Sequence, residues 1–526
     1  MTDHALRLLR QSRSAAELAA FPFEFDLDRA DHGEEVRLAS GGPLTPVAGD
    51  GAGGTYFVCA DGSVLYADSE GSAGIIGSSA DEALEIVIGL PGWHDYLDLS
   101  PADGREKILA RVAETEDEIR EYEDNNDGND GNDGNDGNDG NIDAERAELR
   151  GTLGLPERSP VELIGMLHTA LLRTEPDFLL LNAEEGGAYE RLDPHPRPPL
   201  WEPVLARGRA DLATLRAGGG PAAWDAVARD PLRRRLALRA AQFDRADGDL
   251  DLLRHLVRYE AQSSMTDELR LGAVLVGLHG LAEDLALLHE VRDTDFDTAC
   301  GLSELPGPGD TGADLRQWAL ETDASMFGTE PADEPVFSWT ELARDQGMTE
   351  LARVALIRLL DEIELGQYLL RAPGGASEPL DTSPLRALSR EFQELGDLFQ
   401  ALRAQRLSAD LQDTAWARVS ARLTQARLER ELGLLPRATA TLTTLRATLT
   451  DPRDTSLRLW HGVNLGRSIA EEHYALTRAL ADADLPEEAR ALLASSDAIL
   501  GELSGNAAAG VRELAEETAE RVRDLG

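Results

Sequence analysis

The stretch Gly49-Asp50-Gly51-Ala52-Gly53-Gly54 has the spacing G-x-G-x-x-G, in which backbone amides of a turn can cradle phosphate. That chemistry needs a strand before the turn and a helix after it, so that a pyrophosphate meets a helix N-terminus. Here a β-hairpin pattern follows, and Lys107 is the only lysine, so nothing completes a P-loop. No cofactor is expected. His279 and His289 lie ten residues apart with Asp284 between them. A helical metal pair sits at i and i+3 or i+4, and no two histidines of the chain have that spacing. No metal is expected, and the histidines read as structural. Cys59 and Cys300 are too few for a metal quartet or a disulfide framework. Cys300 lacks a catalytic surround, and no G-x-S-x-G turn offers a serine nucleophile. Glu184–Glu185 before Gly186–Gly187 would cap a turn near a groove, but among 97 acidic residues such a doublet reads as solvated surface. No catalytic residue stands out, and the chain does not read as an enzyme.

The charge balance narrows the partners. Against 97 acidic residues stand 51 basic ones, a net charge of −46 over 526 residues. Phosphate backbones are bound by clustered Lys and Arg, so no nucleic-acid partner is expected, and no membrane partner for the same reason. A basic protein would be steered towards the chain. A salt-adapted proteome would carry the same acidity, and nearly every basic residue is Arg. The N-terminal stretch has no apolar core of signal-peptide length, and no run approaches 18 apolar residues. With two distant cysteines, the expectation is a cytoplasmic protein.

The elements that must hold these residues fall into two regimes. Residues 4–20 predict a helix. TYFVCA (55–60), Asp61–Gly62 and SVLYAD (63–68) form a hairpin signal. A short strand follows near Gly74–Ile76, then an amphipathic helix over 79–90 and a charged helix over 106–123. The segment 125–141, NNDGNDGNDGNDGNDGN, contains no apolar residue and reads as a disordered linker. Its acids recur every third position without the terminal Glu of a calcium loop. Beyond it, 160–172 predicts a helix, 177–183 a buried strand, and the prolines of 194–203 an irregular connector. From about residue 221 the pattern is almost wholly helical.

The run PVAGDGAGGTYFVCADGSVLYADSEGSAGIIGSSADEALEIVI is similar to the SUKH superfamily, known from bacterial immunity proteins and a yeast cell-wall regulator. In that family a Gly-rich turn enters antiparallel strands, another strand follows, and a helix closes the unit. The resemblance implies an α+β binding domain without catalysis, often one that blocks a toxin. It also implies a bacterial setting.

In the helical half a five-residue offset recurs: Gly347 with Ala352, Gly396 with Ala401, Gly433 with Ala438, Asp484 with Ala489. The first residue of each pair suits a left-handed turn between two helices, and the alanine lets the second helix approach the first. Nine residues after the turn stand Leu356, Gln405, Leu442 and Leu493; eight before it stand Trp339, Leu388, Gln425 and Leu476. The pattern resembles a degenerate tetratricopeptide repeat over about 335–505, with turns 49, 37 and 51 residues apart. LRLGAVLVGLHGLAEDLALLHEVRD, within 250–300, resembles a HEAT-type helix pair. Such arrays stack into solenoids with a concave face for peptides.

The expected fold is mixed and mainly α: a small N-terminal α+β domain followed by an α-helical repeat domain. The boundaries are 1–124 for the SUKH-like domain, 125–141 for the linker, and 142–219 for an α/β connector or a continuation of the first domain. HEAT-like helices take 220–334 and tetratricopeptide-like repeats 335–526. The expected function is non-catalytic protein–protein interaction, as an immunity-like or adaptor protein with a basic partner. The alternative is a peptide- or ligand-sensing regulator built on the solenoid. Oligomeric state is left open.

Overall fold

The computed structural model describes residues 3–126, 142–218, 220–371, 383–451 and 456–525. The Asn-Asp-Gly linker from Asp127 onwards and most of the connector at 372–384 lie outside the described residues. The chain divides into two compact units, Met1–Leu181 with Tyr189–Ala355, and Asn182–Ala188 with Leu356–Gly526. The fold is mainly α, with a small α+β part at the N-terminus and helices thereafter.

The first unit opens with α1 (His4–Gln11) and α2 (Arg13–Ala20). The single helix expected over 4–20 is broken at Ser12, whose hydroxyl caps α2 by accepting the Ala15 N–H at 3.3 Å. Strands β1 (Val36–Leu38), β2 (Leu44–Gly49), β3 (Thr55–Cys59), β4 (Val64–Ala67) and β5 (Ser72–Gly77) follow. Then come α3 (Ala80–Gly89), α4 (Arg105–Asn126), α5 (Ile142–Leu153), α6 (Pro160–Leu172), β6 (Leu180–Asn182) and β7 (Glu190–Arg191). The sheet order is β2-β3-β4-β5-β7, with β1 and β6 forming a separate pair. The β3–β4 hairpin turns at Asp61–Gly62; Gly62 has φ +89°, and the Asp61 carboxylate accepts the Ser63 N–H at 2.9 Å.

One core joins Tyr56, Tyr66 and Ile76 of the sheet to Leu84 and Val87 of α3, Leu9 of α1, Leu149 of α5 and Leu163 of α6. The strand expected at 177–183 shortens to β6, and β7 adds to β5 in parallel register, Ser72 opposite Glu190. The N-terminal fold therefore extends past residue 124. Segments on both sides of the Asn-Asp-Gly repeat share its core, because α5 and α6 bury the apolar face that α1 and α3 leave open.

Eight further helices, α7 (Trp201–Arg216), α8 (Gly220–Ala228), α9 (Pro231–Phe243), α10 (Leu250–Glu260), α11 (Asp267–Gly277), α12 (Asp284–Arg292), α13 (Phe296–Gly301) and α14 (Gly312–Met326), continue the unit. Pro203, expected in the irregular connector, lies in the first turn of α7, where a proline costs no hydrogen bond. The helix break expected after α11 is present, with Gly280 at φ +67°. A buried charge ladder ties α9 to its neighbours. Arg234 meets Glu260 at 2.5 Å, and Arg239 meets Glu268 at 2.7 Å and Glu334 at 3.3 Å. Helix α15 (Val336–Asp345) packs Trp339 against Val204 and Leu236, and α16 (Thr349–Arg371) adds Ala352 to that core.

The second unit holds the end of α16 and the pairs α17 (Leu385–Glu394) with α18 (Leu398–Asp410), α19 (Ala415–Glu431) with α20 (Leu435–Leu449), and α21 (Asn464–Asp482) with α22 (Pro486–Glu502). The short α23 (Gly505–Ala509) and α24 (Arg512–Arg523) close it. A continuous core runs through Val419, Leu442, Tyr474, Leu476 and Ile499. Among the described residues, no helix is long and apolar enough to cross a membrane.

Candidate functional site

The Gly-rich turn is closed from within. Asp50 is buried, and its Oδ1 accepts the N–H groups of Ala52 at 2.9 Å and Gly54 at 2.8 Å. Its Oδ2 accepts the Tyr66 hydroxyl at 2.5 Å. Burial and that bond raise Tyr66 far above the usual phenol range, so the hydroxyl stays protonated and donating. Two of the turn's amides are thus taken by its own carboxylate. Gly53 sits at φ +93°, while Gly51 is open to solvent. Gly49 and Gly54 are required by close approach: a Cβ would lie 2.3 Å from the Arg29 carbonyl oxygen at the first and 2.1 Å from the Tyr66 hydroxyl at the second. Beneath the turn, burial pushes His94 down to about 4 and raises Glu24.

Beside the same turn, His32, Glu34, Gly53, Asp68, Glu70 and Tyr189 line a half-open cavity of about 200 Å³. The His32 ring lies 3.1 Å from both the Thr55 hydroxyl, through Nδ1, and the Tyr189 hydroxyl, through Nε2. Tyr189 donates to Glu34 at 3.1 Å, and Thr55 to the Asp31 carbonyl at 3.1 Å. Burial lowers His32 against the upward pull of Glu34, Asp31 and Asp68, and pushes Tyr189 up to about 12. Both hydroxyl protons are held by oxygens, so a neutral His32 can donate its one N–H to one of the two hydroxyl oxygens.

The four helix–turn positions share one geometry. Gly347, Gly396, Gly433 and Asp484 have φ of +78°, +73°, +73° and +62°. In each, the following N–H bonds five residues back: Met348 to Ala343, Asp397 to Phe392, Leu434 to Glu429, Leu485 to Leu480, at 2.8 to 3.0 Å. The turn residue's own N–H bonds three residues back, as from Gly396 to Gln393 at 3.0 Å. These are Schellman caps. Ala352, Ala401, Ala438 and Ala489 are all buried. The first of these turns belongs to the first unit, and the other three to the second.

Within the second unit, a groove of about 500 Å³ lies between α18 and the α19–α20 turn. Phe399, Leu402, Leu407, Leu432 and Leu434 give it an apolar lining. Its polar lining comes from Arg403, Arg406, Asp410 and Arg437, with Glu364 of α16 and the doublet Glu184–Glu185. Arg403 is tied to Asp361 at 2.6 Å and to Glu364 at 2.5 Å; Arg406 is tied to the buried Glu429 at 3.2 Å. The volume lies within the ~300–1,000 Å³ range of ligand pockets. Sequence reasoning set Glu184–Glu185 aside as surface. The pair's place at the groove depends on contacts more than 170 residues away in sequence, which no local pattern encodes.

His279 and His289 do not form a metal pair. The His289 Nε2 lies 2.7 Å from the Pro306 carbonyl, and among the described residues no group of three His, Cys, Asp or Glu is arranged to hold a metal ion. Cys59 is buried and Cys300 exposed, both free. Trp339 and Trp460 are core residues, whereas Trp416 is 40% exposed. No family model, no curated protein and no solved structure matches the chain.

Proposed function

We propose that this chain is a non-catalytic protein-binding protein, of adaptor or immunity-like type, whose client is a basic segment of another protein. The observation that carries this reading is the groove of about 500 Å³ in the second unit, where leucines lie beside exposed charges on paired helices. Apolar contact surface ringed by charge is what a peptide side chain needs to be held and oriented. The four shared turns support a tetratricopeptide-like array, and the glycine turn entering a hairpin supports a SUKH-like N-terminal domain. The net charge of −46 supports a cationic client reached by electrostatic steering.

The test is capture of the partner by the full chain from its native cell, followed by surface plasmon resonance of the purified pair. The expected result is saturable binding whose association rate falls as salt rises, with a smaller change in dissociation. A salt-insensitive association rate removes steering. Turnover of a small molecule, with no protein partner, removes the binding reading. A second reading, a ligand-sensing regulator, rests on the groove's ligand-pocket volume; it requires thermal stabilisation by a small molecule.

A further inference from the structure

We propose that Asn182–Ala188 is a built-in selectivity element of the second unit's groove. It presents the Glu184 and Glu185 carboxylates to an Arg- or Lys-bearing segment of a partner protein, whose aliphatic side chain lies against Leu432 and Leu434. This deepens the protein-binding reading and rests on it.

The segment is held from several sides. The Gly186 carbonyl accepts the Gln400 side-chain amide at 2.7 Å and the Arg403 guanidinium at 2.9 Å. The Ala188 N–H donates to Asp361 at 3.1 Å. Gln400 is fully buried, so without Gly186 its amide would be left a buried unpaired donor. Gly186 has φ +80°, and a Cβ there would lie 2.6 Å from the Phe399 ring. An Asx turn fixes the doublet itself: the Asn182 carboxamide oxygen accepts the N–H groups of Glu184 at 2.9 Å and Glu185 at 2.8 Å.

With the backbone held, both glutamate side chains remain exposed, and among the described residues neither has an ion-pair partner. The groove's arginines do not balance them. Arg403 is neutralised by Asp361 and Glu364, and Arg406 by Glu429. That leaves Arg437 in the groove lining with Glu184, Glu185 and Asp410, and Asp410 has Arg422 at 3.3 Å. The surplus is therefore negative beside an apolar lining, and it complements a segment that alternates basic and aliphatic side chains.

The test is fluorescence anisotropy of the full chain with two labelled peptides of equal length, one alternating Arg and Leu, the other Glu and Leu. The wild type should bind the Arg–Leu peptide and not the Glu–Leu peptide. E184Q/E185Q should raise the Kd for the Arg–Leu peptide about tenfold. The control E513Q/E516Q removes the same charge from exposed positions of α24 and should leave Kd within about twofold. L434S should also weaken binding. If L434S weakens binding but E184Q/E185Q acts no more than the control, the groove reading stands and the selectivity element is wrong. If the Glu–Leu peptide binds as well as the Arg–Leu peptide, the selectivity element is wrong. If neither peptide binds, both fall.

Discussion

Gly54 has no room for a side chain, since a Cβ would lie 2.1 Å from the Tyr66 hydroxyl and 2.6 Å from Asp50 Oδ2. Gly54→Ala should therefore destabilise by about 1–3 kcal/mol through overpacking of a closed hydrogen-bonded turn. Urea unfolding checks this, and a midpoint equal to wild type would count against the closed turn. A second residue-scale prediction concerns pH. His473 is buried, and burial pushes it down to about 4 from an ordinary 6.5. The folded chain keeps it neutral where the unfolded chain takes up a proton. Its contribution is complete above about pH 6.5 and is lost as pH falls towards 4. The loss is on the order of 2–3 kcal/mol, and His473→Leu should flatten the urea midpoint against pH over that window. Parallel profiles would show that other groups carry the acid sensitivity. At this scale the sequence was legible where backbone conformation dictates the residue type, as at Gly396. It was not legible at Gln405 and Gln425, the polar exceptions among apolar repeat positions. Gln405 donates to the Ala421 carbonyl at 2.8 Å, and Gln425 reaches Glu429 at 3.0 Å and Thr441 at 3.3 Å. Both satisfy buried polar groups on neighbouring turns and helices.

The helix pair is the element that repeats. Its turn is specified by one left-handed residue, and around Gly347, Gly396 and Gly433 a Cβ would meet nothing within 4 Å. Glycine is there for φ alone. Asp484 occupies the same conformation with a side chain, at φ +62°. Asp484→Gly should therefore stabilise by up to about 1 kcal/mol, and Gly396→Asp should destabilise by about 1 kcal/mol. Thermal unfolding of the two variants checks both signs; the same sign for both would refute a purely conformational role. The alanine five residues on, fully buried in Ala401, Ala438 and Ala489, marks where the second helix packs on the first. These pairs could be read because turn and contact are a few residues apart. The break at Ser12 was missed because apolar spacing continues across it, while a serine cap restarts the helix.

For the whole molecule the dominant fact is a net charge of −46. Like charges spread over one surface repel, and salt screens them over about 8 Å at physiological ionic strength. Raising NaCl from about 20 mM to about 0.5 M should raise the melting temperature, while buried pairs such as Arg234–Glu260 are screened little. A fall on adding salt would mean that surface ion pairs outweigh the repulsion. Composition and local pattern by themselves determined the charge, the mainly helical class, the hairpin and the left-handed turns, because each depends on residues within one or two turns of chain. Tertiary structure alone decided the rest. It set α5 and α6 into the core begun by α1 and α3. It turned the amides of the Gly-rich stretch onto Asp50. It also brought Glu184 and Glu185 to the groove that Leu432 and Leu434 line. Those outcomes rest on contacts between distant segments, where the choice of partner follows from the fit and hydrogen-bond needs of whole surfaces, not from the residues adjacent in the chain.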